Sequence, residues 1–395
     1  MRRLAAHYIL PISGKPIRNG YIDLNNEGVI IGMGELNSER ESTEFYNGIL
    51  VPGFVNTHCH IELSHLKDKF TRGTGMAGFI REINSLRDSS DRAERIKHIE
   101  NQMHSLYEAG VSAMADISNC DDSFAAKSAS KLYTRTYLEV FGTEKEDVDK
   151  IIKAVLKLAD IAGGYCIDAA PTPHSCYTMS PELITESARY GLMAGFISYH
   201  NQESLEEEEL LINGSGALAD EYRGRGLSTP PVTGQSSLIY FIERLRKLGR
   251  EKFDESILLV HNTATNIQSI DVVNAHLCNA TWVVCPLSNI FIHNTLPPLH
   301  LLQQKGVRIA IGTDSLSSNS ELSMISEMRT ILENFPDIPL EKVLEWATIN
   351  GAKALNKANI FGTLDIGKRP GIVQIDNINW NNFTLTKESI SKRII

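Results

Sequence analysis

The sequence predicts an α/β protein in which a (β/α)8 barrel of the TIM type is joined to a small β-sandwich built from both chain termini. Eight apolar, β-prone runs alternate with amphipathic helical segments in the middle of the chain, which is the pattern of a parallel barrel. Short strands separated by turn signals occupy both ends of the chain. The predicted barrel strands end near His58, Ser118, Gly142, His174, His200, His261, Asn289 and Asp314.

The predicted domain boundaries follow from where these patterns change. Residues 1–52 and 357–395 are assigned to the β-sandwich, and residues 53–356 to the barrel. Asn19-Gly20 is a hairpin turn signal, and the glutamate run Glu206–Glu209 predicts an exposed helix start, where anions are favoured. Apolar periodicity predicts helices over Arg92–Ala109, Asp147–Ala162, Pro181–Arg189, Ser236–Gly249, Pro298–Lys305 and Pro339–Leu355.

Composition excludes several classes of partner. The 395 residues are 42% hydrophobic and 22% charged, as expected of a globular protein with a large core. The net charge of −9 and the lack of a long basic stretch argue against nucleic acid as a partner. No apolar run approaches the roughly 20 residues that span a bilayer, and the first ten residues lack the apolar core of a signal peptide, so no membrane partner is predicted.

Cysteine usage predicts a cytoplasmic location. The six cysteines are scattered, form no CxxC pair and lie in apolar segments, which indicates reduced, buried thiols. The predicted partner is a small-molecule substrate. A homodimer is possible, because it is the commonest assembly of soluble enzymes.

A histidine pair ends the first barrel run. His58 and His60 flank Cys59 after the segment ILVPGFVNT. Residues i and i+2 of a strand point to the same face, so both imidazoles can reach the barrel mouth and share one metal ion. The alternative interpretation is two polar residues at a loop start, because an HxH pair alone is a weak motif. The buried strand before the pair favours the metal site.

Two other strand ends supply further ligand candidates. His200 ends the fifth run, GLMAGFISYH, and Asp314 stands in IAIGTDS after the eighth. Three imidazoles and a carboxylate suit zinc or iron, although Asp314 could instead cap a helix. The end of the fourth run offers no lysine that could bridge two metals. One divalent ion is therefore predicted, zinc in first place and iron in second, held by His58, His60, His200 and Asp314.

Glu203, His261 and Asp314 are the predicted catalytic residues. Glu203 follows His200 where the strand turns into a helix, and its carboxylate could move protons between water and a leaving group. A helix N-terminal glutamate favoured by the helix dipole is the alternative interpretation. His261 ends LLVH and could ligate the metal or stabilise charge growing on the attacking oxygen. Its alternative role is a core histidine bonded to the backbone.

Substrate contacts are predicted from three residues. His174 stands in APTPHSCYTMSPEL, and Ser288 and Asn289 follow the seventh run. His174 could instead be an ordinary loop histidine. The loop after the first strand carries cations that could hold an anionic group over the pocket or be solvated surface charges. These cations are Lys67, Lys69 and Arg72.

The ordered segments resemble the amidohydrolase superfamily. The resemblance covers nearly the whole chain, through PGFVNTHCH, PTPHSCYTMSPEL, HNQE, LLVHNT, GTDSLSSN and GKRPG, and it is strongest with the metal-dependent deaminase branch that includes cytosine, guanine, S-adenosylhomocysteine and aminofutalosine deaminases and the triazine chlorohydrolases. It implies the four metal ligands proposed above, a place for His261 beside the metal, a proton-shuttling Glu203 and substrate contact by His174. HNT and GKRPG depart from the commonest family patterns outside this implied metal shell.

The predicted function is a metal-dependent hydrolase acting on C–N bonds other than peptide bonds. It would deaminate a purine, pyrimidine or nucleoside-like heterocycle with a metal-activated water and release ammonia. The same site could hydrolyse a cyclic amide or a halogenated ring. A catalytically silent ligand-binding relative is the remaining hypothesis, and the complete ligand set argues against it.

Overall fold

The strands of the protein form two groups. The structure, a computed structural model, describes residues 2–38 and 42–395. Six strands from the two chain ends form one sheet: β1 (Arg2–Ile9), β2 (Ile17–Leu24), β3 (Ile30–Glu35), β4 (Thr43–Pro52), β13 (Ile372–Asp376) and β14 (Ile390–Arg393). Eight parallel strands lie between them: β5 (Phe54–Cys59), β6 (Val111–Ser118), β7 (Tyr133–Val140), β8 (Asp168–Pro173), β9 (Phe196–Asn201), β10 (Ser256–His261), β11 (Ala280–Val284) and β12 (Ile309–Ile311).

The eight strands close into a barrel at two seams. Strands β5 to β8 pair in order, as do β9 to β12. At one seam Cys59 bridges Asp314, whose backbone N donates to the carbonyl of His58 at 3.0 Å. At the other seam the backbone N of His200 donates to the carbonyl of His174 at 2.9 Å. The predicted parallel barrel is confirmed, and each seam brings predicted site residues from distant parts of the chain side by side.

The helices that cover the barrel agree with the predicted periodicity within a few residues. Ser180 caps the helix that begins at Pro181 by accepting a hydrogen bond from the backbone N of Leu183, a favourable helix start. The helices are α1 (Gly75–Leu86), α2 (Arg92–Glu108), α3 (Phe124–Ala129), α4 (Val148–Gly164), α5 (Pro181–Met193), α6 (Leu205–Asn213), α7 (Ala217–Gly224), α8 (Ser237–Arg246), α9 (Ile267–His276), α10 (Pro286–His293), α11 (Leu299–Gln304), α12 (Met324–Asn334), α13 (Leu340–Ala347) and α14 (Ile349–Ala354).

Three predicted features of the secondary structure are wrong. The hairpin turn expected at Asn19-Gly20 lies inside β2 (Ile17–Leu24), where Gly20 pairs with Ala6 of β1. The helix expected over Pro339–Leu355 is divided into α13 and α14 at Thr348, whose φ of −133° and ψ of −90° are not helical. The hydroxyl of Thr348 donates back to the carbonyl of Leu344 at 2.6 Å, a local bond that competes with helix continuation. The strand expected to end near Asn289 ends at Val284, and Asn289 lies in α10, because Pro286 starts a helix there.

The terminal sheet confirms that both chain ends build one β-module. Its strand order is β14-β13-β4-β1-β2-β3, so β13 pairs with β4 and joins the C-terminus to the N-terminal strands. All six strands are hydrogen-bonded into one sheet. A separate apolar cluster that includes Leu4, Ile22 and Ile372 packs within this module. The exact domain boundaries at 52/53 and 356/357 stay predictions.

The cysteines differ in burial. Cys59, Cys176 and Cys285 are buried, as predicted, and all six cysteines are free. The prediction of buried thiols is wrong for Cys166 and Cys278, which are exposed because they lie in turns outside the barrel strands. Within residues 2–38 and 42–395, none of the helices has the length and apolar character needed to cross a membrane.

Replacing Gly312 by alanine is expected to destabilise the barrel closure by about 1–3 kcal/mol through overpacking. A Cβ at Gly312 would lie 2.7 Å from the Cβ of His58 and 2.8 Å from its backbone N and O, which cannot move independently of β5. Guanidinium chloride unfolding measures the change. Gly163→Ala in α4 is the control, because nothing lies within 4 Å of its added Cβ. Equal stability of the Gly312 variant and the wild type would contradict this close approach.

Candidate active site

The four residues predicted to bind metal converge at the carboxyl end of the barrel. The Nε2 atom of His60 lies 3.2 Å from that of His58 and 3.3 Å from that of His200. Oδ1 of Asp314 lies 3.7 Å from Nε2 of His58 and 3.6 Å from Nε2 of His60. All four side chains are buried. Strand β5, the end of β9 and the segment after β12 therefore supply one compact donor cluster.

The donor cluster fits a divalent metal ion. Four ligand atoms at ordinary zinc distances in a tetrahedron lie about 3.3 Å from one another, close to the separations of these imidazole nitrogens. Burial, followed by neighbouring imidazoles, lowers the pKa of both His60 and His200 well below the ordinary histidine value. His60 and His200 are therefore held neutral, which is the state that binds metal.

Asp314 is oriented by two serine hydroxyls. Ser288 and Ser318 donate to Oδ2 of Asp314 at 2.6 and 2.9 Å, which leaves Oδ1 facing the imidazoles. Burial opposes ionisation, but the hydrogen bond from His58 and the nearby histidines hold the pKa of Asp314 below its ordinary value. The carboxylate is therefore kept ionised inside the protein.

Glu203 lies beside the donor cluster, next to His261. Its Oε1 is 3.4 Å from Nε2 of His261, and its Oε2 accepts a hydrogen bond from the Tyr177 hydroxyl at 2.8 Å. Burial and then the negative charge of Asp314 raise the pKa of Glu203 well above its ordinary value. Burial lowers the pKa of His261 to about 3. A carboxyl group that can hold a proton thus faces a neutral imidazole, which suits general acid/base chemistry.

A buried glutamate from α6 holds Glu203 in place. The carboxylate of Glu207 accepts the backbone N–H groups of Gln202 at 3.1 Å and of Glu203 at 2.7 Å. The helix start predicted at Glu206–Glu209 is confirmed, but the predicted exposure is wrong for Glu207, which is fully buried. Its burial follows from its position in the first turn of α6, where the helix faces the end of β9.

Ser288 and Asn289 contact site residues instead of lining the cavity. Ser288 bonds to Asp314, and Nδ2 of Asn289 lies 3.1 Å from Nδ1 of His261. Both are buried in the first turns of α10, below the cavity walls. The substrate contact expected of them stays a prediction, and the observed contacts position Asp314 and His261.

His174 stands at the wall of the site. Its ring stacks on that of His200 with centroids 4.4 Å apart, and its Nδ1 is 2.8 Å from the hydroxyls of both Ser175 and Thr178. Burial, followed by the charge of Arg87, lowers the pKa of His174 to about 3. Because Nδ1 is engaged by the two hydroxyls, Nε2 is the nitrogen that faces the cavity.

A cavity of about 320 Å³ opens above the donor cluster. Helix α1 provides an apolar wall, and Arg87, Asn119 and Glu139 provide a polar one. The cations predicted over the pocket do not line it, because their loop is exposed before α1 turns toward the site; these are Lys67, Lys69 and Arg72.

Sequence reasoning missed several residues that support the site. Tyr177 stood in a quoted motif, PTPHSCYTMSPEL, so its proximity to His174 was a usable signal. Glu139 and Arg87 belong to no recognisable sequence motif. They lie at the site because β7 and the end of α1 pack there in the folded protein. Tertiary packing alone identifies them.

Barrels that gather histidines and carboxylates at the carboxyl ends of their strands are typical of metal-dependent hydrolases. A model of the amidohydrolase family matches residues 49–392, and the chain belongs to this family. It is accordingly a hydrolase, as the sequence motifs indicated.

Individual relatives are more distant. The chain is similar to an adenosine deaminase of Helicobacter pylori, with 26% identity over 331 residues that cover 82% of this chain and 78% of the relative. Its fold is similar to that of Helicobacter pylori aminofutalosine deaminase in complex with methylthio-coformycin, with a TM-score of 0.79, 21% identity and 100% of both chains covered. It is also similar to atrazine chlorohydrolase from Arthrobacter aurescens complexed with zinc, with a TM-score of 0.70, 17% identity and coverage of 94% and 86%. At these identities the two structures confirm the barrel fold.

Proposed function

We propose that this hydrolase deaminates an amino-substituted, nucleoside-like heterocycle and releases ammonia. The observation that carries the proposal is Glu203, a buried carboxyl group with a raised pKa beside a buried group of three histidines, with Asp314 next to two of them, at the base of the cavity. Deamination needs one group that transfers a proton to the leaving amine, and Glu203 is placed for that task. The deaminase names of relatives such as the Helicobacter pylori protein support the same reaction class.

The proposed cofactor is one divalent ion, zinc in first place and iron in second. His58, His60, His200 and Asp314 would hold it, and the distances between their donor atoms support that assignment. When bound, the ion would supply Lewis acidity that makes a water nucleophilic near neutral pH. The zinc named with the chlorohydrolase from Arthrobacter aurescens supports zinc as the first choice.

The remaining steps belong to side chains of the chain. Asp314 accepts a proton from the attacking water, and Glu203 delivers a proton to the ring nitrogen next to the reacting carbon. His261 stabilises the negative charge that grows on the attacking oxygen, as a donor in a dry site can. Asp314 then passes the proton it accepted to the amino group, and Glu203 regains a proton from the added hydroxyl group, so that the carbonyl forms as ammonia leaves. Tyr177 and Glu207 keep Glu203 in this position.

Ammonia release from a panel of substrates tests the proposal. The metal-loaded protein is incubated with adenine, cytosine, guanine and their nucleosides, and ammonia is measured by a coupled assay. Release from at least one nucleoside above the rate of the Glu203→Gln variant is the expected result. Absence of release from every compound would overturn the deaminase assignment.

A second candidate function keeps the same cluster but acts on another bond. The likeness to atrazine chlorohydrolase supports hydrolysis of a halogenated ring, and a cyclic amide is the other alternative substrate. Chloride release from chlorinated triazines without ammonia release from aminopurines would favour it. If the purified protein binds neither zinc nor iron, the hypothesis of a catalytically silent relative is favoured. The cytoplasmic location, the homodimer and the absence of nucleic-acid or membrane partners stay predictions.

Removal of the metal is expected to abolish turnover and to lower the melting temperature. Without the ion, the ring nitrogens of His58, His60 and His200 crowd one another in a buried space, so metal that binds only the folded state adds stability. Dialysis against a chelator, followed by re-addition of zinc or iron, is measured by metal analysis and thermal unfolding. An unchanged melting temperature after complete metal removal would contradict this linkage.

A further inference from the structure

The cavity has one polar wall that the proposed mechanism does not use. Nδ2 of Asn119 donates to the backbone carbonyl of Glu139 at 2.8 Å and lies 3.4 Å from its Oε2. The guanidinium of Arg87 donates to Asn119 Oδ1 at 2.5 Å and to Glu62 at 2.7 Å. A chain of hydrogen bonds from three separate segments therefore fixes the carboxylate of Glu139 at the cavity.

One oxygen of Glu139 is left without a partner. Its side chain is only 4% exposed, Oε2 faces Asn119, and Oε1 has no hydrogen-bond partner among the described residues. Buried polar atoms are nearly always hydrogen-bonded, and an unsatisfied carboxylate oxygen is costly. Because Glu139 lines the cavity, a donor on a bound ligand is the group that can satisfy Oε1.

His174 completes the surroundings of this oxygen. Nε2 of His174 lies 3.9 Å from Oε1 of Glu139, and Nδ1 of His200 lies 3.4 Å from it. Nδ1 of His200 also lies 3.3 Å from the carbonyl of His174, which offers it an acceptor within the protein. The Nε2 atom of His174 and Oε1 of Glu139 are thus adjacent hydrogen-bonding atoms beside the cavity, and Oε1 itself is buried.

The wall that α1 builds is mainly apolar. Met76, Phe79, Ile80 and Ile83 are its apolar side chains, and Asn84 is its polar residue. A ligand hydroxyl placed against this wall would lose its hydrogen bonds, whereas the Glu139 and His174 wall can satisfy both its donor and its lone pairs. The asymmetry of the cavity therefore selects how a ligand that carries hydroxyl groups is oriented.

We propose that Oε1 of Glu139 accepts a hydrogen bond from a sugar hydroxyl of the substrate, with Nε2 of His174 beside it. This inference rests on the proposed function and refines it, because it assigns the selection of a nucleoside over its free base to Glu139. The ring to be deaminated lies at the donor cluster, and the hydroxyl-bearing substituent lies against the polar wall. Glu139 is accordingly a specificity-determining residue.

Direct binding tests the assignment without turnover. The metal-loaded Glu203→Gln protein is titrated in a calorimeter with adenosine, 2′-deoxyadenosine, 3′-deoxyadenosine and adenine, with and without the additional change Glu139→Gln. Loss of this hydrogen bond, which leaves a buried polar group unsatisfied, is expected to weaken the binding of adenosine about 10- to 100-fold and that of adenine less than about threefold. One of the two deoxy compounds should resemble adenine. Glu146→Gln, at an exposed glutamate of the short 3-10 helix Lys145–Asp147 that follows β7, is the matched control.

The outcomes separate specificity from other roles. An equal loss of affinity for all four compounds, together with loss of bound metal, would overturn the assignment, because Glu139 would then act by positioning His200. Failure of adenosine to bind more tightly than adenine in the Glu203→Gln background would also overturn it. Ammonia release by the wild-type protein reports separately on the proposed function, so a protein that binds nucleosides but releases no ammonia would refute the reaction and keep the subsite.

Discussion

Replacing Glu203 by glutamine is expected to lower kcat by about 10²- to 10⁴-fold, the usual contribution of a positioned general acid/base. Glutamine keeps the size of the side chain and can still bond to Tyr177, but it cannot take up or deliver a proton. Steady-state ammonia release measures the effect. Because Glu203 is not one of the four proposed ligands, the metal content should remain that of the wild type.

An exposed glutamate on the helix that follows Glu203 provides the control variant. Glu209→Gln lies on the same α6 helix but is exposed and bonds to Ser215, so it should keep wild-type turnover. If the Glu203 variant keeps wild-type kcat at full metal occupancy, the proton-transfer role is wrong. If it instead loses its metal, the residue supports the cluster and the kinetic effect has another cause.

Replacing Lys127 by methionine is expected to cost about 3–5 kcal/mol of stability, the range for removing one partner of a buried ion pair. Nζ of Lys127 lies 2.5 Å from Oδ2 of Asp116 and donates to the hydroxyls of Ser118 and Thr136 at 2.9 and 3.0 Å. Both charged side chains are fully buried. Methionine fills a similar volume but leaves the Asp116 carboxylate without its counter-charge inside the barrel.

The same variant should weaken metal binding. Oδ1 of Asp116 accepts the backbone N–H of Ile61 at 2.8 Å, directly after His60, so the ion pair anchors the segment that carries two proposed ligands. Guanidinium chloride unfolding and metal titration measure the two effects. Lys131→Met, at an exposed lysine four residues later, is the control. A free energy of unfolding within about 0.5 kcal/mol of the wild type would refute the structural importance of the pair.

Combining Lys127→Met with Asp116→Asn distinguishes loss of charge balance from loss of packing. Removing both charges should recover part of the stability, because no buried carboxylate then lacks a partner. If the double variant is less stable than the sum of the single changes predicts, the hydrogen bond that the backbone N–H of Ile61 donates to Asp116 dominates. The cycle therefore separates the ion pair of Asp116 with Lys127 from its hydrogen bond with the backbone of Ile61.

Local sequence was sufficient to predict the barrel and the residues of the donor cluster. Each of His58, His200, His261 and Asp314 stands where an apolar β-prone run stops, and parallel strands place all their carboxyl ends on one face of a barrel. Alternation along β5 was sufficient to put His58 and His60 on the same side. These predictions require only the position and direction of each strand. Short-range hydrophobic patterns indicate both.

Short-range patterns did not predict where helices break or which charged residues are buried. Thr348 divides the last predicted helix because its hydroxyl bonds to the preceding turn, and Pro286 shortens the seventh strand by starting α10. Glu207 belongs to an acidic run typical of a solvated surface, yet it is buried against the backbone of Glu203. Local composition is the same for a buried and an exposed glutamate, so periodicity could not separate them.

The sequence by itself determined the fold class and the face of the barrel on which the four proposed metal ligands lie. Tertiary structure alone decided which side chains hold them: Ser288 on Asp314, Asn289 beside His261, and the pair of Lys127 with Asp116 behind the histidines. The physical reason is the range of the interactions. Strand and helix periods arise between residues a few positions apart, whereas these hydrogen bonds and ion pairs join segments that meet only when the barrel closes.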